Sequence, residues 1–249
     1  MLIINGGIPR SGTVLVGNLL RLMLERRNIP WSRYNPQERR HLPDLLKLAQ
    51  VSGIDGAVIV HTHLIDATVV EAITSRPDAV IFWNYRDPRD ALISLMKLHD
   101  LQLADGLHAM QIYHEAAKLA HASAKTVKIR YEELVIDLAS HIELLATRLH
   151  FELQQDEVED LIHRTSATTH MGYVEQLQKN TLPGARTIQT KRRAMQEDPK
   201  TLLNDRHIQS GQTGRWRTEL TASAQAVANA ELDRWIRMFG YAPQDSKIS

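Results

Sequence analysis

The 249-residue chain contains no cysteine, which excludes a disulfide framework, cysteine-ligated zinc and a thiol nucleophile. It also lacks a charge excess. Thirty Lys and Arg stand against 29 Asp and Glu, a balance that argues against a generally basic nucleic-acid binder while leaving room for local basic patches. Long hydrophobic runs are missing as well. The apolar stretch at residues 14–24 is broken by Gly17, Asn18 and Arg21, and the first apolar segment begins at Leu2, so no leader and no membrane span are expected and a cytoplasmic protein is. No ligand spacing of the H-E-x-x-H kind occurs, and no metal is expected. Internal repeats and low-complexity segments are absent. Leu92, Leu95, Met96 and Leu98 read as the core face of a helix and not as a ligand box.

What the chain does have is a strand, a loop and a helix at its start, LIINGGIPRSGTVLVGNLLRLML, residues 2–24. Leu2, Ile3 and Ile4 read as a buried strand, Gly6 and Gly7 as a tight turn, and residues 14–24 repeat apolar side chains at helical spacing. The loop between them is GIPRSGT, residues 7–13. Backbone N–H groups at a helix N-terminus favour an anion such as phosphate or sulfate, and Arg10, Ser11 and Thr13 add side-chain donors. The G-x-x-x-x-G-K-[ST] pattern of nucleotide triphosphatases is not met, because Gly12 is followed by Thr13 and Val14 and the cation stands ahead of the glycine.

Downstream, residues 57–64 (AVIVHTHL) and 79–85 (AVIFWNY) read as buried strands. His61 and His63 lie at the carboxyl end of the first, two apart, and share a face if the strand stays extended. Asp66 and Asp87 suit helix caps, with Pro88 as a first helical residue. One long amphipathic stretch spans residues 104–124, a fourth strand ends near Arg130, and a closing helix spans 222–239. Residues 31–41 read as a polar connection, and residues 177–214, with Arg186, Lys191, Arg192 and Arg193, as a mobile cationic excursion. The alternation implies a single three-layer α/β domain over residues 1–249. Its mainly parallel sheet of four or five strands is flanked by helices and takes ligands beyond the strands' carboxyl ends.

Four segments in order resemble the P-loop-type sulfotransferases that use 3′-phosphoadenosine 5′-phosphosulfate (PAPS) and release 3′-phosphoadenosine 5′-phosphate (PAP). They are PRSGT in the first loop, RDPRDALIS at residues 86–94, IRYEEL at 129–134 and GQTGRWRTELT at 211–221. The resemblance implies a P-loop-like fold. It implies that Arg10, Ser11, Gly12, Thr13 and Val14 hold the 5′-phosphosulfate, Arg86 and Ser94 the 3′-phosphate, and that Tyr131 lies beside the adenine with Ser210 and Gly211 folding over the cofactor. HTHL is similar to the family's K-T-H-[LF] segment, which makes His63 the matching general base and Arg10 the charge clamp on the leaving group. Some positions depart from the pattern. His61 replaces a Lys, Leu15 a stacking Trp, and Gln209 and Ser210 an Arg-Lys pair for which Arg206, Arg215, Arg217 or backbone donors are the available substitutes.

The implied reaction is transfer of a sulfuryl group to a hydroxyl, or less readily an amine, of a small molecule, glycan or lipid headgroup, with no metal. Whether His63 or His61 is the base stays open at this level. Trp31, Tyr34, His61, His99 and Met171 are candidates to meet the acceptor. A P-loop nucleotide kinase and a non-catalytic adenosine-phosphate binder are the alternatives, and the acceptor and the oligomeric state are not encoded in any motif.

Overall fold

The computed structural model describes residues 1–36, 38–189, 194–206 and 211–242. A parallel sheet of five strands has the order β2-β3-β1-β4-β5, with β1 Leu2–Gly7, β2 Trp31–Tyr34, β3 Ala57–Thr62, β4 Ala79–Tyr85 and β5 Thr126–Arg130. Between them run α1 Thr13–Arg26, α2 Leu42–Gln50, α3 Ala67–Thr74, α4 Pro88–His99, α5 Leu103–Gln111 and α6 His114–Ala122. After the sheet come α7 Tyr131–Ile136, α8 Leu138–Arg148, α9 Gln155–Thr165 and α10 Ala167–Gln178. An antiparallel pair follows, β6 Arg186–Gln189 and β7 Ala194–Glu197, then α11 Trp216–Glu219, α12 Ala222–Glu231 and α13 Asp233–Met238.

The three layers follow from the period of two along each strand. Leu2 and Ile4 of β1 join Val60, Ile81 and Trp83 in one core, roofed by helices that include α4, α6 and α13, while Ile3 joins Ile59, Phe82 and Ile129 under α1 and α8. A strand buried on both faces is apolar at nearly every position, as β1 and β4 are. The chain leaves β1 for one side of the sheet, β3 and β2, and later crosses to β4 on the other. The crevice at that reversal, above the carboxyl end of β1, is where α/β sheets take their ligands.

Several expectations need correction. Gly6 and Gly7 do not form a turn but complete β1. Gly6 is needed because a Cβ there would stand 2.5 Å from the ring of Trp83, whose burial of roughly 200 Å² contributes about 5 kcal/mol at ~25 cal/mol per Å². Residues 31–34 are an edge strand within what reads as a polar connection. The segment 104–124 is two helices, α5 and α6, separated at Ile112 and Tyr113, and the closing helix breaks at Leu232 into α12 and α13. β3 stops at Thr62, so His63 lies just beyond it, and Tyr131 opens α7. Within the expected excursion, α10 extends to Gln178 and β6 pairs with β7. The following turn is fastened to the body, because Thr201 O accepts from Asn18 Nδ2 (3.0 Å) and Lys200 O from Arg33 Nη1 (2.8 Å). Lys191, Arg192, Arg193, Gln209 and Ser210 lie outside the described residues.

Candidate active site

The loop after β1 is held from below and leaves its upper surface to backbone and arginine. Arg10 and Gly12 have φ of 69° and 92°, left-handed values that turn successive N–H groups toward one concavity. Gly12 is the cap residue of α1 and provides no side chain to satisfy the first turn, so the helix presents its positive end there. Ser11 corrects an expectation. Its hydroxyl lies 2.7 Å from Ile8 O and 2.9 Å from Asn84 O, fastening the loop to β4, and only its backbone remains for an anion. Beneath it lies a buried amide pair. Asn84 Nδ2 donates to Asn5 Oδ1 (3.1 Å) and Gly6 O (2.8 Å), while Asn5 Nδ2 donates to Thr13 O (2.8 Å) and stands 3.5 Å from His61 Nδ1.

Around the concavity the four expected segments converge. Arg10 Nε donates to Ser94 Oγ of α4 at 2.9 Å. Burial, then the charge of Arg86, lowers the Arg10 pKa to about 10, which leaves it protonated at neutral pH. Arg86, at the end of β4, lies 4.3 Å over the Tyr131 ring, donates from Nη2 to Gln212 O (2.6 Å) and sits 3.7 Å from Asp90 Oδ2. Its buried Nε has no partner among the described residues. Tyr131 in turn donates to Gly211 O (3.3 Å) and packs on the loop, since a Cβ at Gly12 would stand 3.0 Å from its ring. A partly buried guanidinium, Arg10, and a buried one, Arg86, stand beside an uncapped helix start, the second with an orphaned N–H, a cradle suited to a phosphate-sized anion.

The remaining charges of the RDPRD string are structural. Asp87 caps α4 and grips Arg89, whose guanidinium lies 3.9 Å over Trp216. Asp90 accepts from Gly214 N (2.5 Å) and Trp216 N (3.0 Å), so the late segment is tied to the start of α4. Glu132 accepts from Asp87 N (3.0 Å) and from the Tyr241 hydroxyl (2.6 Å).

On the β3 side, His63 Nδ1–H donates to Gly7 O at 2.7 Å. That bond fixes the tautomer and leaves the lone pair on Nε2. Burial lowers the His63 pKa, the Gly7 carbonyl opposes that, and Arg10 adds to the lowering, so the ring is neutral at pH 7. His61 is buried, and burial followed by the charges of His63 and Arg33 pulls its pKa down to about 3. The two rings meet edge-on at 5.7 Å, and Tyr113 stands edge-on to His63 at 5.8 Å. Trp31 and Tyr34 are on the edge strand β2, half-buried against opposite cores. His99 ends α4, and Met171 is exposed on α10. Arg186 is paired with Glu197 (2.7 Å) across the β6–β7 pair. Sequence reasoning missed Asn5, Asn84 and Tyr113. The two asparagines were detectable as lone polar residues inside apolar strands, whereas Tyr113 had no signal. Among the described residues no cluster of three or more His, Asp or Glu is arranged to hold a metal ion, and no helix is long and apolar enough to cross a membrane.

The family model described as Sulfotransferase domain matches residues 2–240. By sequence, no curated protein matches the chain. Among solved structures, a mouse sulfotransferase complexed with PAP aligns with TM-score 0.65 and 16% identity over 97% of this chain and 89% of its own. Retinol dehydratase in complex with retinol and PAP aligns with TM-score 0.61 and 16% identity over 100% of this chain and 82% of its own. The same enzyme with androsterone and PAP gives 0.60 and 15%, with the same coverage. At these identities the likeness concerns the fold.

Proposed function

The chain belongs to the sulfotransferase domain family, and on that premise we propose that it transfers a sulfuryl group from PAPS to a hydroxyl, or less readily an amine. The acceptor is a small molecule, glycan or lipid headgroup, and the chain works as one domain in the cytoplasm. When bound, PAPS supplies an activated sulfuryl group on a phosphate leaving group. Arg10 and the N–H groups of Ser11, Gly12, Thr13 and Val14 would hold the phosphosulfate, Arg86 and Ser94 the 3′-phosphate, and Tyr131, Ser210 and Gly211 the adenosine side. The structures aligned with this chain that contain PAP support that assignment, as does the orphaned Arg86 Nε within the cradle.

The observation that carries the reading is the bond from His63 to the carbonyl of Gly7, at the root of the anion loop. It points the unprotonated Nε2 away from the backbone, ready to take a proton from an acceptor hydroxyl. Arg10 cannot serve as a proton donor at neutral pH; it stabilises charge growing on the oxygen that departs. A protonated His63 beside Arg10 is disfavoured, so the ring gives up its proton readily between turnovers. Because the His63 pKa is lowered from 6.5, the transfer rate rises with pH to a plateau whose inflection lies below that value.

Calorimetric titration with PAP, with and without magnesium, tests the reading. Magnesium-independent binding, weakened about 10–100-fold in Arg86→Ala as for loss of a charged hydrogen bond, supports it, and PAPS-dependent transfer to an acceptor panel that vanishes in His63→Ala completes it. Binding of a magnesium triphosphate alone would return the chain to the kinase class. PAP binding with no transfer to any acceptor would leave a non-catalytic binder.

A further inference from the structure

A cleft of mixed polar and apolar surface lies against the flank of α1, lined by Arg21 and Leu22 of that helix, His163 and Arg164 of α9, and His170 and Tyr173 of α10. It holds about 110 Å³, where a single water needs only ~10–15 Å³. Arg21 follows the first residue of α1 by eight positions, about 12 Å at 1.5 Å per residue, so a ligand here is distinct from one in the loop. No carboxylate lines the cleft among the described residues. Glu25 is engaged by Arg21 (2.8 Å) and Lys200 (3.2 Å), and Asp160 by Arg26 and Arg164.

Two side chains are built into its wall. Arg21 and His170 are 6% and 7% exposed, and the ring nitrogens of His170 have no hydrogen-bond partner among the described residues. Those nitrogens are not among the side-chain atoms sealed from solvent, so the ring opens onto the cleft, and the charge acting on it is a cation, Arg21. We propose that this cleft is a second ligand site that takes an oxyanion group, a sulfate, phosphate or carboxylate, between Arg21, the His170 N–H and the Tyr173 hydroxyl, with His163 and Arg164 at the rim. The anion supplies the acceptor that the His170 ring lacks and the negative charge that the lining lacks.

The titratable and charged groups that line the cleft with His170 are Arg21 on α1, His163 and Arg164 on α9 and Tyr173 on α10, with Glu25 paired to Arg21 and Lys200 paired to Glu25 next to them. All but Glu25 and Tyr173 are cationic or can become so, and burial together with Arg21 pulls the His170 pKa down to about 4. An occupying anion raises that pKa, and its affinity grows as pH falls.

The test is titration of the full chain with sodium sulfate at constant ionic strength, following the His170 imidazole resonances, assigned with His170→Gln. A saturable shift that survives in Arg86→Ala and weakens about tenfold or more in Arg21→Gln is expected. Adenosine 5′-phosphate in place of sulfate separates a free ion from a phosphate ester as the better ligand. Because Arg21 is buried and its variant can misfold, a second measurement uses crystals soaked in selenate. Anomalous signal against Arg21 and His170 supports the site. Signal confined to the loop at residues 7–13, or a His170 shift no larger than chloride produces, overturns it.

Discussion

The two halves of the crevice are built on opposite plans. At the carboxyl ends of β1, β4 and β5, polar side chains interlock: Ser11 with β4, Asn5 with Asn84 and the start of α1, Arg10 with Ser94, Arg86 with Tyr131 and Gln212. At the end of β3 the rings of His61, His63 and Tyr113 meet edge-on, the side chains bond mainly to backbone, as His63 to Gly7 O and Thr62 to Pro36 O, and β2 is a half-buried edge strand. The first plan gives geometry that little can alter, which suits the nucleotide proposed to bind there. The second gives a surface that can be changed piecemeal, which suits the acceptor pocket proposed there.

The sharpest way to separate the halves is His63→Ala, expected to lower transfer by ~10²–10⁴ as for loss of a general base while PAP affinity in calorimetry changes by no more than about twofold. A parallel loss of PAP affinity would show that the histidine belongs to the cradle. Next in size is Gly12→Ala. With φ at 92° and Tyr131 3.0 Å from the new Cβ, it should cost ~1–2 kcal/mol in urea unfolding and weaken PAP; full tolerance would mean that the cradle is not rigid.

His61 gives a pH test on the ring side. Its folded pKa, about 3, lies below the ordinary 6.5, so the unfolded chain binds the extra proton and stability falls as pH drops from 6.5 toward 3. In His61→Asn that slope should flatten by up to about 1.4 kcal/mol per pH unit, read from unfolding midpoints across the range. The smallest effects belong to the edge. Trp31→Ala and Tyr34→Phe should raise the acceptor KM by less than about tenfold and leave PAP binding unchanged. A larger effect on PAP than on the acceptor would erase the distinction between the halves.

The convergence of the four segments was legible in sequence because it rests on particular residue types at fixed spacing. Arg86 and Ser94 stand eight apart since one ends a strand and the other sits two turns into the next helix, and Gly12 must be glycine for its backbone. The inward turn of Ser11 was not legible, because a serine in an anion loop reads as a donor whichever way it faces. The pattern of β2, WSRY, carries Arg33 and the exposed Ser32, and only its register against Ala57 to Val60 makes it a strand. Gly6 read as a turn because sequence does not announce Trp83 on the neighbouring strand. Tyr113 reaches His63 only because the 104–124 pattern breaks into two helices at that point, a break set by packing and not by a proline or a glycine.

Arg86 has a resting place. Its Nη2 is satisfied by the Gln212 carbonyl, with Asp90 3.7 Å away, and Asp90 also holds the segment that carries Gln212. An anion arriving at this arginine would find the guanidinium already held at Nη2, with its Nε–H unpartnered among the described residues. In the proposed nucleotide site, the carbonyl and Asp90 keep part of this buried charge compensated before any ligand is bound. The same short stretch of backbone that carries Gln212 is thus tied to the end of β4 through Arg86 and to the start of α4 through Asp90.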